Sequence, residues 1–314
     1  MNTQSDAVPE SSRDSQGIAP AVMSPTRPLY WSVRRELWEN RSLYIAPLAV
    51  AALGLFGFLI SLIFPPKNHG LAPLDLAYRP AALAMPYSHA AMLLILTAFI
   101  VGIFYSLDAL HGERRDRSIL FWKSLPVSDL TTVLSKASIP LLVLPLLVFA
   151  ITVILQQIML LLSTAALLMS GGSAATLWKQ LPLFQMELVL LYALAVITLW
   201  YAPIYGWLLL VSGWARRTTF LWAVLPPVAI CVVERITFRS SYFCSLLKER
   251  LFGFAADAFV LHAPGSPPLD PHFILLNQLT PGRFLSSPGL WIGLTVAAAC
   301  LVAAIRLRRY REPI

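Results

Sequence analysis

An all-α, polytopic membrane protein with six spanning helices is the fold that this sequence predicts, and three observations predict it. The chain is 57% hydrophobic and 13% charged, where an ordinary soluble domain is about 45–50% apolar and about 25% charged. Its apolar residues are gathered into long windows without a charge, and its basic residues lie between those windows. A hydrocarbon core about 30 Å thick needs roughly 20 apolar helical residues to cross it. Within it the backbone must satisfy its own polar groups, which makes the helix the default. A charge at mid-bilayer costs at least about 2.5–3.5 kcal/mol, so uncharged windows of this length are not accidental.

In chain order, residues 1–28 are polar, rich in Pro, Ser, Asp and Gln. They lack the apolar core of a cleavable signal peptide and are expected to be a disordered tail. Residues 29–43, from PLYWSVRRELWENRSLY, are expected to form an amphipathic helix lying on the membrane. Leu29, Val33, Leu37 and Tyr44 share one helical face, Arg35, Glu36 and Glu39 lie away from its centre, and Trp31 and Trp38 flank it. A solvated juxtamembrane helix is the other reading of this stretch. The six spans are expected at about 44–64, 89–107, 137–168, 188–215, 218–233 and 289–305 of a transmembrane domain covering 44–311, followed by the tail 312–314. Pro226-Pro227 should kink or break the fifth span.

Six crossings put both termini on one side. With that side cytoplasmic, 16 of the 24 Lys and Arg residues lie inside and 8 outside, so the positive-inside bias places both ends in the cytoplasm. The net charge of +8 is thereby explained by orientation, and nucleic-acid binding is not invoked. Outside, segment 235–287 carries Phe243, Leu247, Leu251, Phe254 and Ala258 at helical spacing, then the breaker LHAPGSPPLDPH, then FILLNQL. Two short helices dipping into the outer leaflet fit this pattern, as does a small cap packed on itself.

The segment 108–136 between spans two and three stands apart. It holds Glu113, Arg114, Arg115, Asp116, Arg117, Lys123 and Asp129 around the apolar run Ile119, Leu120, Phe121 and Trp122. Span two is expected to continue past Leu107 with one-turn pairing among Asp108, Glu113, Arg114 and Arg117. Pro126 should stop the helix, Ser128 should cap the next one, and Asp129 suits its positive end. A short amphipathic helix with aromatic knobs, turned back into the membrane, suits docking in a partner's groove.

Here the chain resembles a known family. The run from Glu113-Arg114 through Ser118-Ile119-Leu120, then Leu125-Pro126-Val127-Ser128 and Lys136, is similar to the permease subunits of ATP-binding-cassette exporters, ABC type-2 class. Those have six helices, an N-terminal interfacial helix, a coupling helix between helices two and three, and short exoplasmic helices between five and six. Many members carry a small residue and Thr where this chain has Arg117-Ser118. The resemblance implies a bacterial-type plasma-membrane protein working as a homo- or heterodimer on two separate cytoplasmic ATPase subunits, which use the ATP and Mg; this chain would bind no cofactor. It further implies that Ile119, Leu120, Phe121, Trp122 and Lys123, ended by Pro126, dock into the ATPase while Glu113 and Arg117 hold the helix geometry. An ordinary loop sealing the helix ends remains the alternative.

Chemistry of other kinds finds little support. No G-x-x-x-x-G-K-[ST] phosphate loop, H-E-x-x-H zinc helix or G-x-S-x-G nucleophile elbow occurs. Cys231, Cys244 and Cys300 are odd in number and scattered, suggesting neither a disulfide framework nor a metal site. Polar residues near the spans are candidates for a substrate path: Gln156, Gln157, Glu187 and Glu234. The absence of ionisable residues deep in the windows suits a device driven by ATP from outside. Two readings of other classes stay open: an intramembrane enzyme using Glu187, Glu234 or His111, and a membrane scaffold or sensor docking a cytoplasmic partner.

Overall fold

The structure is a computed structural model describing residues 26–64, 80–116, 128–259 and 276–310. Among these residues helix dominates and no strand is formed, apart from an isolated antiparallel bridge between Phe259 and Leu279. In chain order the helices are α1 (Thr26–Glu39), α2 (Ser42–Ile63), α3 (Pro80–Asp108), α4 (His111–Arg115), α5 (Asp129–Ser138), α6 (Leu144–Met169), α7 (Ala174–Gln180), α8 (Leu183–Trp214), α9 (Thr219–Thr237), α10 (Tyr242–Phe252), α11 (Phe254–Ala258), α12 (Pro281–Ser286) and α13 (Pro288–Tyr310). Six stretches are long and apolar enough to cross a membrane, carried by α2, α3, α6, α8, α9 and α13.

The spans stay helical through their prolines, and at two places the structure shows how the backbone accommodates them. Pro140 and Pro145 lie near the join of α5 and α6, where the chain loosens into one π-helical turn, Ile139–Val143, and Leu144 N–H bonds to Ile139 O. Of the kink or break expected at Pro226 and Pro227, the break does not occur: α9 is helical through both. Pro227 has no N–H for the carbonyl of Ala223, four residues earlier, and the Trp207 indole donates to that carbonyl instead at 3.0 Å. Trp207→Phe should therefore cost about 1 kcal/mol, read from thermal unfolding in detergent. Pro227→Ala restores the backbone donor and should shrink that cost.

α8 is the central helix. In its most apolar window 44% of residues are buried, against 6% in α9. Its most extensive partner is α13, and Gly206 explains the closeness. A Cβ placed there would meet the Ala297 Cα and carbonyl oxygen at 3.2 Å. Small residues at such a crossing let backbones approach where no aqueous hydrophobic effect drives association. Gly206→Leu should cost about 1–3 kcal/mol by overpacking. Gly54→Leu, where nothing lies within 4 Å of the added carbon, is the control and should stay within about 0.5 kcal/mol of the parent.

Two apolar cores run along the bundle. One joins α2, α3 and α6 through Phe58, Tyr87, Leu94, Val148, Leu155 and Met159. The other gathers Trp200, Tyr201 and Tyr205 of α8 with Phe259, Phe284 and Leu290. Three aromatic donors of α8 also pin the segment after α9. Trp200 Nε1 donates to Arg250 O at 2.9 Å, Tyr201 Oη to Leu251 O at 2.7 Å and Tyr192 Oη to Ala258 O at 3.1 Å. The first two occupy carbonyls at the end of α10 that have no partner within the helix. The expected short helices of segment 235–287 thus correspond, among described residues, to α10, α11, a 3₁₀ turn at Leu276–Gln278 and α12, with α10 and α11 anchored to the bundle.

Candidate functional site

The site lies at the end of the bundle where α1, α4, α5 and the last turns of α13 meet. It begins with a break in the chain: α3 stops at Asp108 instead of running on, and α4 starts after a two-residue turn. Ser212 of α8 accepts from the backbone N–H groups of Leu110 and His111, both at 2.9 Å, filling the vacancies at the start of α4. Arg114 then donates to the carbonyls of Gly213 at 2.8 Å and Ala215 at 3.3 Å, locking α4 to the end of α8. On the far side of residues 117–127, Ser128 Oγ accepts from Thr131 N–H at 3.1 Å and caps α5. Both stems of the charged segment are therefore fixed.

Glu113 leaves α4 for the interior and is 8% exposed. Its Oε1 lies 3.1 Å from Lys136 Nζ of α5 and 3.2 Å from Arg35 of α1, while its Oε2 accepts from Arg308 of α13. Lys136 also reaches Glu36 Oε1 at 2.8 Å. Glu36 is 1% exposed and further accepts from Arg35 at 3.0 Å and Tyr105 Oη at 2.9 Å. Arg308 Nε closes the far side on Asp129 Oδ1 at 3.1 Å. Arg35 Nε reaches Glu39 at 3.4 Å. Partial burial beside this cluster pushes the Glu39 carboxyl above its ordinary range, and the Arg35 guanidinium opposes that shift.

Glu36, Glu113, Lys136 and Arg308, all buried, each have an opposite partner, as burial demands. Around the ions, Val33 and Leu37 of α1 pack with Leu43, Tyr105, Ala109, Ala137 and Ile139. The cluster ties both stems of the charged segment to a helix before the first span and to the end of the last. It also places the described ends of the chain at one end of the bundle.

The pairing differs from the sequence expectation in a definite way. Within the stem, Asp108 pairs among the described residues with Arg115, at 3.8 Å and exposed, whereas Glu113 binds across helices. Glu36, read as lying away from the centre of the apolar face, is among the most buried side chains. Its signal was available: Glu36 follows Val33 by three residues and precedes Leu37 by one, which puts it on that face. Arg308 and Tyr105 had no local signal, since their partners lie far away in sequence. The predicted docking residues Arg117, Ile119, Leu120, Phe121, Trp122, Lys123 and Pro126 lie outside the described residues.

Of the four candidate path residues only Gln157 and Glu187 are shown in contact with one another. Gln156 is buried and donates to Tyr87 O at 3.3 Å, with its Oε1 lacking a hydrogen-bond partner among the described residues. Gln157 donates to Glu187 Oε1 at 2.9 Å on the outside of the bundle. Glu234, near the end of α9, accepts from Ser240 Oγ and from the Tyr242 and Phe243 N–H groups, capping α10. Cys231 and Cys244 are both free thiols. Among the described residues no three His, Cys, Asp or Glu side chains assemble as metal ligands would.

Fold and site together define a six-span helical membrane protein with a buried ion cluster at one end. No family model, curated protein or solved structure matches the chain.

Proposed function

We propose that this chain is the membrane-spanning permease subunit of an ATP-binding-cassette exporter of the ABC type-2 class. It would couple ATP hydrolysis by a separate cytoplasmic ATPase to efflux of a drug, lipid, peptide or polysaccharide. The observation that carries this reading is the ion cluster joining both stems of residues 117–127 to α1 and α13. A partner that grips the loop would move these elements together, because stretching Glu113 away from Lys136 and Arg308 would leave buried charge unpaired. Apolar cores slide at small cost; a buried, fully paired ion network holds one geometry. On this reading the energy comes from another subunit, which binds ATP and Mg. A second permease copy completes the transporter, in a bacterial-type plasma membrane with both termini cytoplasmic.

Purification in mild detergent from the native host tests this. A soluble ATPase containing a G-x-x-x-x-G-K-[ST] loop is expected to copurify. A cysteine placed at Ser124 should resist impermeant thiol reagents applied to intact cells and react after permeabilisation. Labelling from outside would put the loop on the wrong face for an ATPase and end the proposal.

A further inference from the structure

A second feature lies between α8, α9, α10 and α13, where a cavity of about 730 Å³ is walled by apolar side chains such as Trp207, Val224, Leu247 and Val296. Its walls are held unequally. α8 and α13 approach closely at Gly206, whereas only 6% of the most apolar window of α9 is buried. α9 and α10 are joined as one unit, because Glu234 near the end of α9 accepts from the Tyr242 and Phe243 N–H groups at 2.7 and 2.9 Å. α8 holds this unit by three aromatic donors: Trp207 on Ala223 O, Trp200 on Arg250 O and Tyr201 on Leu251 O.

On the other side of the cavity the unit meets α13 through Arg250. Its Nη1 donates to Gly289 O at 3.1 Å, and its guanidinium lies 4.6 Å from the centre of the Trp200 ring. The group occupies space that exists because residue 293 has no side chain: a Cβ built on Gly293 would overlap Arg250 Nη2 and Cζ. The seat is a costly one. Nη2 is buried with no hydrogen-bond partner among the described residues. Burial also holds the guanidinium below the ordinary arginine range, which the exposed Glu249 opposes. A cation enclosed without a full set of partners is destabilised relative to the same group in water. Leaving the seat would return it to solvent, so this tie is weaker than its fit suggests.

We infer that α9 and α10 form a lid hinged on α8, and that Arg250 seated against Gly293 is the latch that closes it on α13. Release of the latch opens the cavity between α9 and α13. The assignment rests on the packing of these helices and not on the permease reading. It is tested without any ATPase, so failure of either leaves the other standing.

Gly293→Ala tests the latch with one methyl group. It must expel the guanidinium, while alanine, the better helix former, should leave α13 itself intact. With the full chain in nanodiscs, hydrogen–deuterium exchange across α10, Tyr242–Phe252, should quicken about tenfold, the loss of one hydrogen bond to a charged group. Cys300, a free thiol of α13 that lines the cavity, should react faster with a lipid-soluble maleimide by a similar factor. Arg250→Ala should do the same. Adding Gly293→Ala to Arg250→Ala should change nothing further, since the methyl acts only by displacing the arginine. Exchange in α6 should keep the parent rate throughout. Unchanged exchange in α10 with Gly293→Ala overturns the latch, and so does an effect of that change that persists without Arg250. Faster exchange in α10 with unchanged reactivity of Cys300 overturns the lid, and faster exchange in α6 as well makes the change a general loosening and overturns both.

Discussion

Replacing Lys136 with Met is expected to destabilise the bundle by about 3–5 kcal/mol, the cost of leaving buried charge uncompensated. Lys136 Nζ stands between Glu36 Oε1 at 2.8 Å and Glu113 Oε1 at 3.1 Å. Methionine preserves the stem that packs in α5 and deletes only the charge. Two carboxylates then face each other with Arg35 alone between them, at 3.0 and 3.2 Å, and Arg35 is shared with Glu39. Thermal or denaturant unfolding in detergent reads the loss. Adding Glu113→Gln removes one of the two stranded carboxylates, so the double variant should be less damaged than the sum of its parts, with a coupling of about 0.5–3 kcal/mol. A Lys136→Met protein within about 0.5 kcal/mol of the parent, the range of ordinary surface changes, would mean that the cluster is not closed to water.

On the permease reading, Phe121→Ala with Trp122→Ala should release the ATPase. Aromatic anchors dominate protein grooves, and losing such anchors costs at least about 2 kcal/mol, roughly 30-fold in Kd. The variant should insert and unfold like the parent but no longer copurify with an ATPase or sustain efflux. Comparison with Lys136→Met separates two effects, since that change should lower stability as well as transport, whereas the aromatic pair should lower transport alone. Normal copurification and normal efflux by the double variant would remove the docking assignment.

The six spans could be read from the chain because the bilayer constraint is local: a window of apolar residues crosses or does not, whatever its neighbours. The continuity of α9 was not legible. Pro226-Pro227 predicts a kink or break by a local rule; the helix is not broken, and the carbonyl freed at Ala223 finds its donor on Trp207 of another helix, sixteen residues away. The charged segment stood out in the sequence by its composition, and Glu113 and Lys136 were singled out within it. Their meeting at 3.1 Å was not, nor was the part played by Glu36 and Arg308.

The sequence alone therefore determined the helical class, the membrane setting, the number of spans and the position of the charged segment, because composition and window length carry those directly. Tertiary structure decided which charges neutralise one another, which aromatic donors repair broken backbone pairing, and that Arg250 is seated against Gly293. Those outcomes depend on contacts between residues as far apart as Glu113 and Arg308. A buried charge takes whichever partner the packed helices bring within about 4 Å, and no local pattern encodes that distance.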